Sequence, residues 1–133
     1  MKKQTFVALL LLGPFLSFAQ WEWQNPLTQG NDLNDVFFID QYTGWSVGDH
    51  GTIVRTSNSG ETFEVLPSST FEHLNSVEFF SCYFGFVVGN GGTLLETHNG
   101  GDSWEHIDLG VNADLRDLCL CFPNKIWIAG DGG

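Results

Sequence analysis

Basic residues are scarce: five Lys and Arg stand against sixteen Asp and Glu, for a formal net charge of −11. Nucleic-acid binding needs a basic face to neutralise phosphates, so this shortage excludes it. The shortage deepens along the chain, because Lys2 and Lys3 sit at the extreme N-terminus and only Arg55, Arg116 and Lys125 remain beyond it. Cysteine is also sparse, with Cys82, Cys119 and Cys121 making an odd set. No C-x-x-C spacing occurs, so a structural zinc site is not expected. Cys119 and Cys121 are two apart and would share one strand face, where a bridge between them would be strained. Two readings follow: one bridge that includes Cys82, or three small buried apolar side chains, the second being preferred.

Long hydrophobic runs are missing except near the start, from Phe6 to Leu16, and that run is broken by Gly13-Pro14. It falls short of the roughly 20 residues a spanning helix needs, so no membrane span is expected. Lys2 and Lys3 precede it, and Ser17-Phe18-Ala19 places small residues before a cut at Gln20. Residues 1–19 therefore read as a secretory signal peptide, and the mature chain as soluble and secreted, periplasmic or at the cell surface. No cysteine stands at the cut, so a lipid anchor is not indicated.

Glycine is abundant, sixteen residues where a chain of this length ordinarily has about nine. Many of them recur at a fixed offset of 41 residues. Leu33-Asn34-Asp35-Val36-Phe37-Phe38 returns as Leu74-Asn75-Ser76-Val77-Glu78-Phe79 and as Leu115-Arg116-Asp117-Leu118-Cys119-Leu120. Trp45, Phe86 and Trp127 share a phase, as do Gly48, Gly89 and Gly130. Eight of twenty positions are identical between Gly44–Phe63 and Gly85–Trp104. Such a period marks a repeat architecture.

Within one period the pattern gives four short strands and no helix. First strands run Leu33–Ile39 and Leu74–Phe80, apolar and free of proline, and second strands follow at Gly44–Val47 and Gly85–Val88. Gly48-Asp49-His50-Gly51 and Gly89-Asn90-Gly91-Gly92 close them, the Asn90-Gly91 pair suiting a primed hairpin turn. Third strands run Thr52–Thr56 and Thr93–Thr97, and fourth strands Thr62–Leu66 and Ser103–Ile107. Four antiparallel strands in about 41 residues match one blade of a β-propeller. The expected architecture is all-β: blade 1 at 33–66, blade 2 at 74–107 and a partial blade 3 at 115–133, all within a propeller unit at 20–133. Trp21-Glu22-Trp23, ten residues before Leu33, reads as a fourth strand with no blade of its own, which would close the last blade of a ring. Because two and a half blades and a spare strand fall short of the usual four to eight, the chain reads as the N-terminal part of a longer propeller whose remaining blades lie elsewhere.

The turns between third and fourth strands share the form Ser/Thr-x-Asx-x-Gly-x-Ser/Thr-aromatic: Thr56, Asn58, Gly60 and Phe63 in one copy, Thr97, Asn99, Gly101 and Trp104 in the other. An Asn side chain can bond backbone groups nearby, glycine supplies positive φ, and the aromatic packs beneath. The motif resembles the Asp-box, or bacterial neuraminidase repeat. That resemblance implies a stabilising turn on the rim opposite the ligand face. The longer stretch LNDVFFIDQYTGWSVGDHGTIVRTSNSGETF and its second copy are similar to the photosystem II stability/assembly factor-like propellers.

Three functions remain to be weighed. Sialidases carry the same repeat, and resemblance to them would imply an arginine cluster and a tyrosine with an acidic partner. Only Arg55 and Arg116 are available, while Tyr42 and Tyr83 stand at equivalent repeat positions and read as structural. No catalytic residue is assigned; the alternative is a sialidase-like exo-glycosidase whose catalytic residues lie beyond this segment. The second function is binding. Loops after second and fourth strands share one face, which gathers Asp32, Asp49, His50, His73, Asn90, Asp108, Asn112, Asp114 and Asp131. Asp49, Asn90 and Asp131 are the candidate ligand residues, for a protein or a glycan; the plainer reading is that they are solvated turn residues. His50, His73, His98 and His106 fall at different phases, so no metal cluster and no cofactor is expected. The aromatics Trp45, Phe79, Phe80, Tyr83, Phe84, Trp104 and Trp127 read as inter-blade core. A third, purely structural function would have the repeats only space or display another domain. An exported, non-catalytic interaction module is the reading the sequence favours.

Overall fold

The computed structural model describes residues 30–121 and 125–132. The predicted signal peptide and the strand expected at Trp21-Glu22-Trp23 lie outside the described residues. The first sheet contains β1 (Leu33–Phe38), β2 (Gly44–Gly48), β3 (Ile53–Thr56) and β4 (Glu64–Leu66), and the second contains β5 (Leu74–Phe79), β6 (Gly85–Gly89), β7 (Leu94–Thr97) and β8 (Glu105–His106). A third sheet pairs β9 (Leu115–Cys121) with β10 (Lys125–Gly130). Within each sheet the strands follow chain order and every pairing is antiparallel. The 41-residue period is therefore a structural period.

Register repeats with it. Leu33 faces Gly48, Leu74 faces Gly89 and Leu115 faces Gly130, and in each inner strand the next residue is skipped by a bulge. The glycine is required by close approach. A Cβ on Gly48 or Gly89 would collide with the carbonyl oxygen of Asp32 or His73. Those same carbonyls accept the N–H groups of Asp49 and Asn90 at 2.9 Å, and Asp114 accepts that of Asp131.

The turns after β2 and β6 contain the helical geometry of the described residues, two three-residue 3-10 turns at Asp49–Gly51 and Asn90–Gly92. The primed turn is displaced one residue from the expected Asn90-Gly91 pair. Thr52 and Thr93 donate to the carbonyls of Asp49 and Asn90 at 3.1 Å, so the residues with positive φ are His50-Gly51 and Gly91-Gly92. The neighbouring loop sets this register: the N–H groups of Gly51 and Gly92 donate to the carbonyls of Glu72 and Ala113 at 2.8 Å.

The sheets stack face to face like propeller blades, with inner strands β1, β5 and β9 adjacent. Trp45, Val47, Ile53 and Leu66 of the first sheet pack on Leu74, Val77, Phe79, Leu95 and Trp104 of the second. Phe86, Val88 and Leu94 then pack on Leu115 and Leu118 of the third. The second sheet is covered on both faces, and its strand β6, like β2 of the first sheet, is buried at every position. Two expected core aromatics lie outside these interfaces. Trp127 is 67% exposed because Ile126 and Ile128, its alternating neighbours, take the face toward the second sheet, and Tyr83 is 70% exposed in the β5–β6 turn. The cysteines also depart from the buried reading. All three are free, Cys82 and Cys119 are exposed, and Cys121 is half-buried.

Candidate functional site

The turns after β2, β6 and β10 and the loops that enter the inner strands form one rim. Asp49, Asn90 and Asp131 stand there at one phase, and each is tied to its own chain. Asp49 accepts from Asn34 at 3.2 Å and from His73 Nδ1 at 2.7 Å. Asn90 accepts from Asn75 at 2.8 Å. Asp131 receives Nε and Nη2 of Arg116 at 3.1 and 2.7 Å. The partners Asn34, Asn75 and Arg116 occupy the bulge of each inner strand, so one device closes every turn. In the first two copies the bulge Asn also reaches the next blade, donating to the carbonyls of Leu74 and Leu115 at 2.9 and 2.7 Å.

Charge on this rim is locally paired. The hydrogen bond from His73 holds the Asp49 carboxyl below its ordinary value, with a further contribution from Asn34. Reciprocally, the Asp49 carboxylate raises His73. Arg116 lowers Asp131 in the same way. Sequence phase had separated His50 from His73, yet the rings lie 5.4 Å apart, because the turn after β2 rests on the loop entering β5. The blade topology read from the sequence had set both histidines on this one face, and the structure adds that their rings meet. Among the described residues no group of three or more His, Cys, Asp and Glu could hold a metal ion.

The opposite rim carries the two Asx turns, which are near copies. Thr56 Oγ1 accepts the N–H groups of Asn58 and Gly60 at 3.3 and 2.9 Å, and Asn58 Oδ1 accepts that of Thr62 at 2.9 Å. Thr97 Oγ1 treats Asn99 and Gly101 in the same way, and Asn99 Oδ1 accepts from Ser103 at 3.0 Å. Gly60 and Gly101 have φ of 87° and 94°. Trp104 is buried beneath its turn, whereas Phe63 is half-buried on the outer face of the first sheet.

The second turn also anchors the first blade. The carbonyl of Gly100 accepts Trp45 Nε1 at 2.9 Å in the core and Arg55 Nη1 at 3.0 Å. Arg55 further pairs with Glu64 at 2.9 Å and Asp102 at 2.8 Å. Both arginines are thus engaged by acids of this chain, on separate sheets, and form no cluster for a substrate carboxylate. The carboxylates with resolved shifts, Asp40, Asp49 and Asp131, are all lowered, Asp40 by the N–H groups of Tyr42 and Thr43. A general acid at neutral pH requires the reverse.

Comparison with known proteins places this geometry. The family model described as photosynthesis system II assembly factor YCF48 matches residues 14–115. A solved structure of YCF48 bound to D1 peptide is similar at 29% identity and a TM-score of 0.60, over 71% of this chain and 32% of that one. YCF48 from Cyanidioschyzon merolae is similar in fold, at 19% identity and a TM-score of 0.67, over 77% of this chain and 36% of that one. The chain spans about a third of the length of these structures. No curated protein matches it. With a family match over most of its length, and with sheets that superpose on those propellers, this chain belongs to the photosynthesis system II assembly factor YCF48 family.

Proposed function

We propose that the chain serves as an exported, non-catalytic interaction module whose rim at Asp49, Asn90 and Asp131 takes a protein partner through an extended, cationic segment. The observation that carries this reading is the family match, together with a relative solved with a bound peptide. Charge sets the partner's sign. The rim holds Glu72, Asp114 and the paired Asp49 and Asp131 around His73 and Arg116, while the whole chain has sixteen acids to five bases. An acidic face attracts a basic segment and repels an acidic one. A glycan is the less favoured ligand, since Tyr83 and Trp127 do not lie on this rim and, of the exposed Phe, Tyr and Trp side chains among the described residues, it presents the single ring of Phe71, 90% exposed in the loop entering β5.

The test titrates the isotope-labelled full chain with a Lys-rich peptide, a Glu-rich peptide of equal length and sialyllactose. The expected result is binding of the Lys-rich peptide alone, weakened by salt, with amide shift changes centred on residues 49–51, 72–73, 90–92 and 112–114. Changes on the Asx-turn rim, no binding of the Lys-rich peptide, or binding or hydrolysis of sialyllactose would each overturn the reading. When the chain is made in a secreting host, the mature product should begin at Gln20; an intact Met1 terminus on exported protein would refute cleavage there.

A further inference from the structure

The inner strand of the third sheet departs from the repeat at two alternate positions. Where the first copy has Phe37 and Ile39 and the second has Glu78 and Phe80, the third has Cys119 and Cys121. Phe37 and Ile39 pack on the core between the first two sheets, and Phe80 on the next core. Replacing such side chains by thiols removes bulk and leaves two sulfur atoms toward solvent. The period of two along β9 puts both on one face, with Sγ atoms 4.0 Å apart. The backbone between them is fixed from the second sheet: Glu78 reaches across, and its Oε2 accepts the N–H of Leu120 at 2.6 Å.

We propose that Cys119 and Cys121 form a two-thiolate site for a soft monovalent metal ion, copper(I). Thiolates select soft ions such as copper(I) and zinc. With metal–sulfur bonds of about 2.3 Å, the sulfur separation is about 3.8 Å across a tetrahedral edge and about 4.6 Å in a linear pair. The observed 4.0 Å lies between these limits, so small side-chain rotations reach a bent two-coordinate geometry. Coordination number then discriminates. Zinc takes four ligands, but among the described residues no third His, Cys, Asp or Glu joins a group able to hold a metal. Copper(I) is satisfied by two sulfurs. The neighbouring carboxylates of Glu78 and Asp117 favour a cation there.

The experiment titrates copper(I) anaerobically into the full chain against a chromogenic copper(I) chelator, for wild type, C82S, C119S and C121S, with circular dichroism confirming the fold. One ion per chain is expected for wild type and for C82S, because Cys82 lies apart in the β5–β6 turn. C119S and C121S should each bind at least about a hundredfold more weakly, since even loss of an outer-shell partner costs 10–100-fold in metal affinity. No copper retained by wild type, equal retention by C119S and C121S, or loss in C82S would overturn the assignment.

Discussion

Trp45 and Trp104, the tryptophans buried among the described residues, allow the blade-to-blade anchor to be measured by paired substitutions. Trp45 and Trp104 both lie in the core between the first two sheets, 1% and 6% exposed, and both contact Phe79. They differ in one respect: Trp45 Nε1 donates to the Gly100 carbonyl at 2.9 Å, while Trp104 Nε1 is buried without a partner. Substitution by phenylalanine at each position removes a similar volume, and the repeat already carries Phe86 at the phase of Trp45 and Phe63 at the phase of Trp104. The cavity cost should be comparable, about 1–2 kcal/mol in each case. Trp45→Phe also loses a hydrogen bond worth about 1 kcal/mol. That value does not rise to a full desolvation penalty, because Arg55 still bonds the Gly100 carbonyl. Trp104→Phe instead removes an unpaired buried donor, a gain of about 1 kcal/mol or more. Trp45→Phe should therefore be the more destabilising by about 2 kcal/mol. Urea unfolding of the full chain, followed by far-ultraviolet circular dichroism, measures both. Equal losses, or a larger loss for Trp104→Phe, would refute the anchoring argument.

Gly101 has φ of 94°, and an added Cβ would lie 2.9 Å from Leu66 Cδ1. Gly101→Ala should cost about 1–2 kcal/mol through forced positive φ, and an unchanged urea midpoint would refute the turn geometry. The Asp49–His73 pair makes stability depend on pH. His73 is raised above its ordinary 6.5, so its contribution is complete below that value and is lost as pH rises through the folded-state value. Asp49 is lowered below its ordinary 3.8, so its contribution is complete above that value and is lost as pH falls through the folded-state value. The advantage of wild type over H73Q should thus be greatest between pH 3.8 and 6.5 and should shrink above that window. A difference that is flat or grows above pH 7 would show that the pair does not form.

Local chemistry was legible because it depends on neighbours in the chain. The Asx turns could be read from Thr-x-Asn-x-Gly because their donors and acceptors lie within four residues of one another. The strands could be read because β-branched and aromatic runs alternate with glycine at a fixed period. The readings that failed depend on partners distant in sequence, although Trp45, Phe79 and Trp104 do form inter-blade core as expected. The β2–β3 turn sits one residue later than the pattern suggested because Gly51 bonds the carbonyl of Glu72. Trp127 was expected to be buried because Trp45 is, although composition carries no record of which sheet stands opposite.

The amino-acid order alone determined the 41-residue unit, its strands and its Asx turns, since each follows from backbone sterics and side-chain bonds inside one period. Only tertiary structure decided which copies of a repeated position are buried, that Asp49 meets His73, and that Cys119 and Cys121 stand open on β9. Burial and pairing between blades belong to the neighbour across the interface, and identical local sequence meets a different neighbour at each turn of the arc.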